Sequence, residues 1–177
     1  MDLKILDMLK VRHWKYRRDI SQPAGWKYRV EGLVDIEGMY KDLWKFFSDK
    51  SYDIEERDNT TKKKDRGDDV EFKFYCQKEV DDYVRYHTEL KFYITNAVKV
   101  KHEEKTYTKC KFEVNATAYL KLDYQNKWKR TKIGNKLHNF YQWYLIKWRI
   151  DKYYETGLFI EFEQLKDIIK RNAGLFY

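Results

Sequence analysis

The sequence predicts an α+β protein: a curved antiparallel sheet of about six strands covered by a long C-terminal helix in the manner of a helix grip, with extra helical segments at both ends. Three observations predict it. Cys110, Phe112, Val114, Ala116, Ala118, Leu120, Leu122 and Tyr124 fall at even positions, while polar or charged side chains fill almost every odd one, the period-two signature of a strand with one face on a core and one toward water. Residues 70–100 carry the same period. Beyond residue 127 the apolar spacing changes to three and four, which is helical. At 177 residues the chain fits one domain with a core of its own.

Residues 1–25 read as a basic arm. Leu3, Ile5, Leu6, Met8, Leu9 and Val11 suit a short amphipathic helix, and Trp14 and Tyr16 follow among Arg12, His13, Lys15, Arg17 and Arg18. Ser21, Gln22, Pro23, Ala24 and Gly25 break the arm, leaving residues 26–177 as a single α+β domain. Trp26, Tyr28 and Val30 alternate with Lys27, Arg29 and Glu31 in a strand that Gly32 is expected to end. Asp35 is placed to cap a helix carrying Ile36, Met39, Tyr40, Leu43, Phe46 and Phe47. Tyr52 and Ile54 open the next strand. Residues 58–69 contain no apolar side chain and read as a polar hairpin tip. Val70, Phe72, Phe74 and Cys76 share one strand face, and Val84 through Ile94 make a longer strand extended by Val98 and Val100. The strand ending at Tyr124 would span roughly 50 Å if straight, so it must coil around its cover. Ala116 and Ala118 mark a place where another element can come close.

Residues 127–154 are both basic and aromatic, with eight Lys or Arg against one acid. On a helical wheel Ile133, Leu137, Phe140, Tyr141, Tyr144, Leu145 and Trp148 form a broad stripe, expected to be the face that lies on the sheet. Trp143, Ile146, Ile150 and Tyr154 form a second stripe, which either packs within the chain or meets a partner. Gly157 is expected to separate this helix from another bearing Phe159, Phe162, Leu165, Ile168 and Ile169, and Gly174 to stop the last one.

In element order the chain resembles the START-like family with its helix-grip fold; the likeness rests on residues 26–31, 36–47, 70–124 and 133–154. The resemblance implies an apolar ligand held between sheet and helix, with Phe92 and Phe112 on one wall and Phe140, Tyr144 and Trp148 on the other. The chain departs from the pattern in lacking a second helix between Phe47 and Tyr52, in showing six strands rather than seven, and in its N-terminal arm. In style it also resembles small archaeal proteins.

The sequence carries no Rossmann or P-loop glycine spacing, no His-Glu-x-x-His and no Cys-x-x-Cys, so neither enzyme chemistry, a cofactor nor a metal is expected. His87 and Glu89 read as a surface pair on an outer strand face. Cys76 and Cys110 fall in phase with core residues and read as buried thiols. The net charge of +8 is uneven: residues 1–30 carry +5 and residues 127–152 carry +7, while the middle is slightly acidic. That asymmetry points to an anionic partner, with Arg12, Lys15, Arg17, Arg18, Lys127, Lys129, Arg130 and Lys132 as contacts to RNA or DNA. The leading expectation is a binding or assembly module, joining another protein or a second copy of itself through Trp143, Ile146, Ile150 and Tyr154. No stretch reaches the roughly 20 apolar residues of a membrane span, and a cytoplasmic location is expected.

Overall fold

The computed structural model describes residues 17–21, 25–64, 66–102, 105–128, 134, 137, 138 and 140–174. The expected N-terminal helix, with Arg12 and Lys15, lies outside them, as do Lys129, Arg130, Lys132 and Ile133.

Among these residues six strands form one antiparallel sheet: β1 (Arg17–Asp19), β2 (Trp26–Val34), β3 (Asp53–Lys62), β4 (Asp68–Glu79), β5 (Val84–His102) and β6 (Lys105–Leu122). The order is β1-β6-β5-β4-β3, and β2 pairs with β6 further along the edge that β1 occupies. The end of the basic arm is therefore part of the sheet, with Arg17 opposite Lys121. The period-two reading of β6 holds: Cys110, Phe112, Val114, Ala116, Ala118, Leu120 and Leu122 are all buried.

Two expectations about strand ends fail. Gly32 does not end β2; it pairs with Cys110, and the strand runs on to Val34. The polar stretch 58–69 is not all loop. Thr60, Thr61 and Lys62 pair with Glu71, Val70 and Asp69 past an irregularity after Arg57. A hairpin can continue through polar residues where its partner strand is held elsewhere, here by Val70 on the core, because the backbone bonds of the ladder need no apolar side chain.

Helix α1 (Ile36–Asp49) begins as read: Asp35 accepts a hydrogen bond from the Gly38 amide at 2.7 Å. It buries Met39, Leu43 and Phe47, one turn apart. At the C-terminus, residues 147 to 173 form one continuous helical run of 27 residues: α2 (Lys147–Arg149), a π-helical stretch Ile150–Glu155, and α3 (Thr156–Ala173). Gly157 does not divide it. A Cβ at this position would stand 2.9 Å from the Tyr86 hydroxyl, so the glycine lets the helix approach β5. Ile150, Tyr154, Leu158, Phe162, Leu165, Ile169 and Ala173 belong to the same buried cluster as the inner sheet face. Gly174 ends the run, its amide bonding to the Lys170 carbonyl at 2.8 Å.

Phe72 and Phe92 stack at 4.6 Å, and Phe74 and Phe112 each lie 6.0 Å from Phe92. Rings thus fill the space on that part of the sheet. Cys76 and Cys110 are buried free thiols on β4 and β6, which β5 separates.

Candidate functional site: an aromatic helix face turned to solvent

The segment after β6 is held by its polar side chains. Asp123 takes a left-handed conformation (φ 48°). Its carboxylate accepts the amides of Lys127 at 2.8 Å and Trp128 at 3.3 Å, and its own amide binds the Tyr83 carbonyl at 2.7 Å. This places Trp128 over Tyr141, the rings stacked at 5.2 Å. Next to them Gln142 donates to the Tyr83 hydroxyl at 3.0 Å, and that hydroxyl lies 2.7 Å from Nε2 of His138. His138 and Gln142, four residues apart on one side of a helix, are both buried.

The π-helical turn Tyr141–Leu145 follows, and the Ile146 amide reaches back five residues to the Tyr141 carbonyl at 3.1 Å. Ile146 itself leaves helical geometry at φ −117°. A turn closed by such a bond holds more residues than an α turn, so every side chain beyond it sits at a different angle. After this step Ile150 and Tyr154 point into the core. Tyr154 donates to Asp81, whose other oxygen takes the amides of Tyr83 and Val84. Burial, and then Asp81, push the Tyr154 hydroxyl pKa up to about 12.

The consequence is an inverted segment. Leu137, Phe140, Tyr144, Leu145, Trp148 and Tyr153 are all more than half exposed, Tyr144 reaching 76%. Phe140 and Tyr144 stack at 4.8 Å, Tyr153 meets Trp148 edge-on at 5.6 Å, and the Lys152 ammonium lies 5.3 Å from the Trp148 ring. Lys147, Arg149 and Lys152 are exposed beside them. The acid in this stretch, Asp151, is drawn with Glu155 toward Arg18 of β1.

This corrects the wheel reading. The stripe expected to lie on the sheet, from Leu137 to Trp148, faces water apart from half-buried Tyr141, and residues 150–173 provide the cover. In the stripe offered to a partner, Ile150 and Tyr154 are buried and Ile146 packs on the core; the Trp143 side chain lies outside the described residues. The ligand-pocket residues are likewise not brought together, because Phe92 and Phe112 are in the core while Phe140, Tyr144 and Trp148 are outside it. Among the residues assigned to nucleic acid, Arg18 is committed to the helix, Arg17 pairs with Asp19 at 2.8 Å and Lys127 lies 3.6 Å from Asp82. The sequence did hold one sign of the inversion: His138 and Gln142 sit one turn apart, with Phe140 and Tyr144 on another side.

A second cluster lies on the outer sheet face. The His87 ring stacks on Tyr119 at 4.9 Å, its Nδ1 is 3.0 Å from the Tyr75 hydroxyl, and Tyr119 donates to Glu89 at 3.3 Å. The Arg17 guanidinium covers Tyr119 at 3.7 Å. The expected surface pair is therefore a packed one, with His87 only 3% exposed and its Nε2 without a partner among the described residues. Burial, then the charges of Lys121, Arg85 and Arg17, bring the His87 pKa down to about 4. The imidazole is neutral and enclosed, which suits packing more than proton transfer.

Among the described residues no group of His, Cys, Asp and Glu is arranged to hold a metal ion. No protein-family model and no curated protein matches the chain.

Proposed function

We propose that the protein is a non-enzymatic binding module that docks onto a partner surface through the face carrying Leu137, Phe140, Tyr144, Leu145, Trp148 and Tyr153. The observation that supports this reading is the inversion itself. One segment buries His138 and Gln142 and exposes Leu137, Phe140, Tyr144, Leu145 and Trp148, against the usual placing of glutamine outside and of leucine and phenylalanine inside. Contiguous exposed apolar surface of this kind marks interaction sites. The experiment is hydroxyl-radical footprinting of Phe140, Tyr144 and Trp148 in the purified chain and in a whole extract of the source cells. Selective protection of these three in the extract is expected. Equal oxidation in both settings would remove the reading.

A second reading, association with RNA or DNA, is favoured by one row of the outer sheet face. Lys27, Asn115, Lys91, Lys73 and Arg57 are consecutive cross-strand partners from β2 to β3. A polyanion lying along that row would lose affinity steeply as salt is raised, with a slope that falls by about one for each phosphate contact removed. Lys91→Gln should flatten the slope by that amount; no binding of mixed RNA or duplex DNA at low salt would end this reading.

A further inference from the structure

We infer that the occupant of the exposed helix face is the surface of an anionic lipid bilayer, an inference that rests on the docking reading above. The face combines two chemistries. Its apolar part is Leu137, Phe140, Tyr144, Leu145, Trp148 and Tyr153, mostly aromatic side chains with more than half of their surface open to solvent. Such rings settle at the headgroup level of a bilayer. Its charged part is cationic: Lys147, Arg149 and Lys152 are exposed, while Asp151 and Glu155 are turned to Arg18. The Lys152 ammonium itself lies over the Trp148 ring, so a cation and an aromatic side chain suited to the headgroup level stand at one place on this face.

Charge selects among occupants. A second copy docking by a twofold axis would bring the same cationic patch of both chains, Lys147, Arg149 and Lys152 twice over, into one interface, and gathering like charge there opposes such pairing. An anionic bilayer supplies the complementary charge across a broad surface, and its acyl boundary accepts the rings without needing a matching groove. No helix among the described residues is long and apolar enough to cross a membrane, so the segment lies in the interface plane. The sheet stays above it, and docking requires no change in the core.

The test is co-sedimentation of the full chain with phosphatidylcholine vesicles, with and without phosphatidylserine, alongside sedimentation velocity of the protein alone. Binding to the phosphatidylserine vesicles is expected, at least tenfold weaker to phosphatidylcholine alone, and unaffected by soluble phosphate. Phe140→Ser with Tyr144→Ser and Trp148→Ser should lower it at least tenfold while leaving the circular dichroism unchanged. Lys147→Glu with Lys152→Glu should remove the preference for anionic lipid. Absence of vesicle binding, or equal binding by the triple variant, overturns the lipid assignment. Should the chain instead dimerise and the triple variant stay monomeric, or should footprinting protection persist in extract freed of membranes, the lipid is wrong and the docking face stands. A monomer that ignores vesicles and shows no protection in extract overturns both.

Discussion

His87 shows how a residue that looks like surface chemistry becomes packing. It shares a strand face with Glu89, so alternation places it outward, and it is outward. Tyr119 and Tyr75 close over it from β6 and β4, and cross-strand neighbours of that kind are set by register, which a single strand cannot announce. The energetic consequence is a pH dependence. An imidazole in the unfolded chain takes its proton near 6.5 and the folded one only near 4, so the unfolded state holds more protons between those values. Unfolding free energy should therefore fall as pH is lowered from about 6.5 to about 4, by about 3 kcal/mol at most. The charged groups that lower it, Arg17, Arg85 and Lys121, are cations and keep their charge through this interval; the one carboxylate of the cluster, Glu89, which Tyr119 binds, stays in place in the variant below and cancels from the comparison. His87→Asn should lose this part of the pH dependence; urea unfolding of both proteins at pH 7 and pH 4.5 measures it, and parallel losses would contradict the assignment. Gly157 is a second case. Alanine there would gain about 1 kcal/mol of helix propensity but would push the Tyr86 hydroxyl from the Tyr154 carbonyl, where it donates at 2.9 Å, leaving buried polar groups unpaired at about 1–3 kcal/mol. Gly157→Ala should destabilise by about 1 kcal/mol in the native background and stabilise by up to about 1 kcal/mol beside Tyr86→Phe. Equal effects in the two backgrounds would refute the contact.

Among the elements, the strands and α1 were legible because their periods are unbroken. Period two carries β6 from Cys110 to Leu122, and Asp35 with Met39, Leu43 and Phe47 states where α1 starts and which side it buries. The segment from Leu137 to Tyr154 was not legible, for two physical reasons. A wheel assumes one angle per residue, and the π-helical turns with the break at Ile146 void that assumption. A wheel also assumes that the apolar side is the buried side, which fails where a helix is anchored by hydrogen bonds and stacked rings. The anchor is testable. His138→Ala would remove one contact of the half-buried Tyr83 hydroxyl, which keeps Gln142, and would empty a buried site beside Trp128, which lies 5.8 Å from the imidazole. It should cost about 1–3 kcal/mol, whereas Leu145→Ser on the exposed side should stay within about 0.5 kcal/mol. Thermal unfolding of the two variants gives the comparison, and the reverse ranking would restore the wheel.

At the scale of the whole molecule, helices cover one face of the sheet, and among the described residues none packs on the other. Residues 150–173 and α1 close the inner face and are clamped together where Asp42 receives Arg171 and Asn172, each at 3.0 Å. The outer face carries mixed charge and the tyrosine–histidine cluster. The sequence distinguished the two faces strand by strand, but which stretch of the C-terminal region lies on the inner one is decided by competition between segments. Leu158, Phe162, Leu165 and Ile169 keep an undistorted helical period and win that place, which leaves the aromatic residues before them outside. Phe140, Tyr144 and Trp148 therefore stand outside the core, although the helical wheel puts them in it. Guanidinium unfolding of the chain carrying Phe140→Ser, Tyr144→Ser and Trp148→Ser tests that placement most directly. The predicted change in unfolding free energy is within about 1 kcal/mol; since each buried aromatic lost from a core costs about 3–5 kcal/mol, a loss beyond about 5 kcal/mol, or failure to fold, would contradict it.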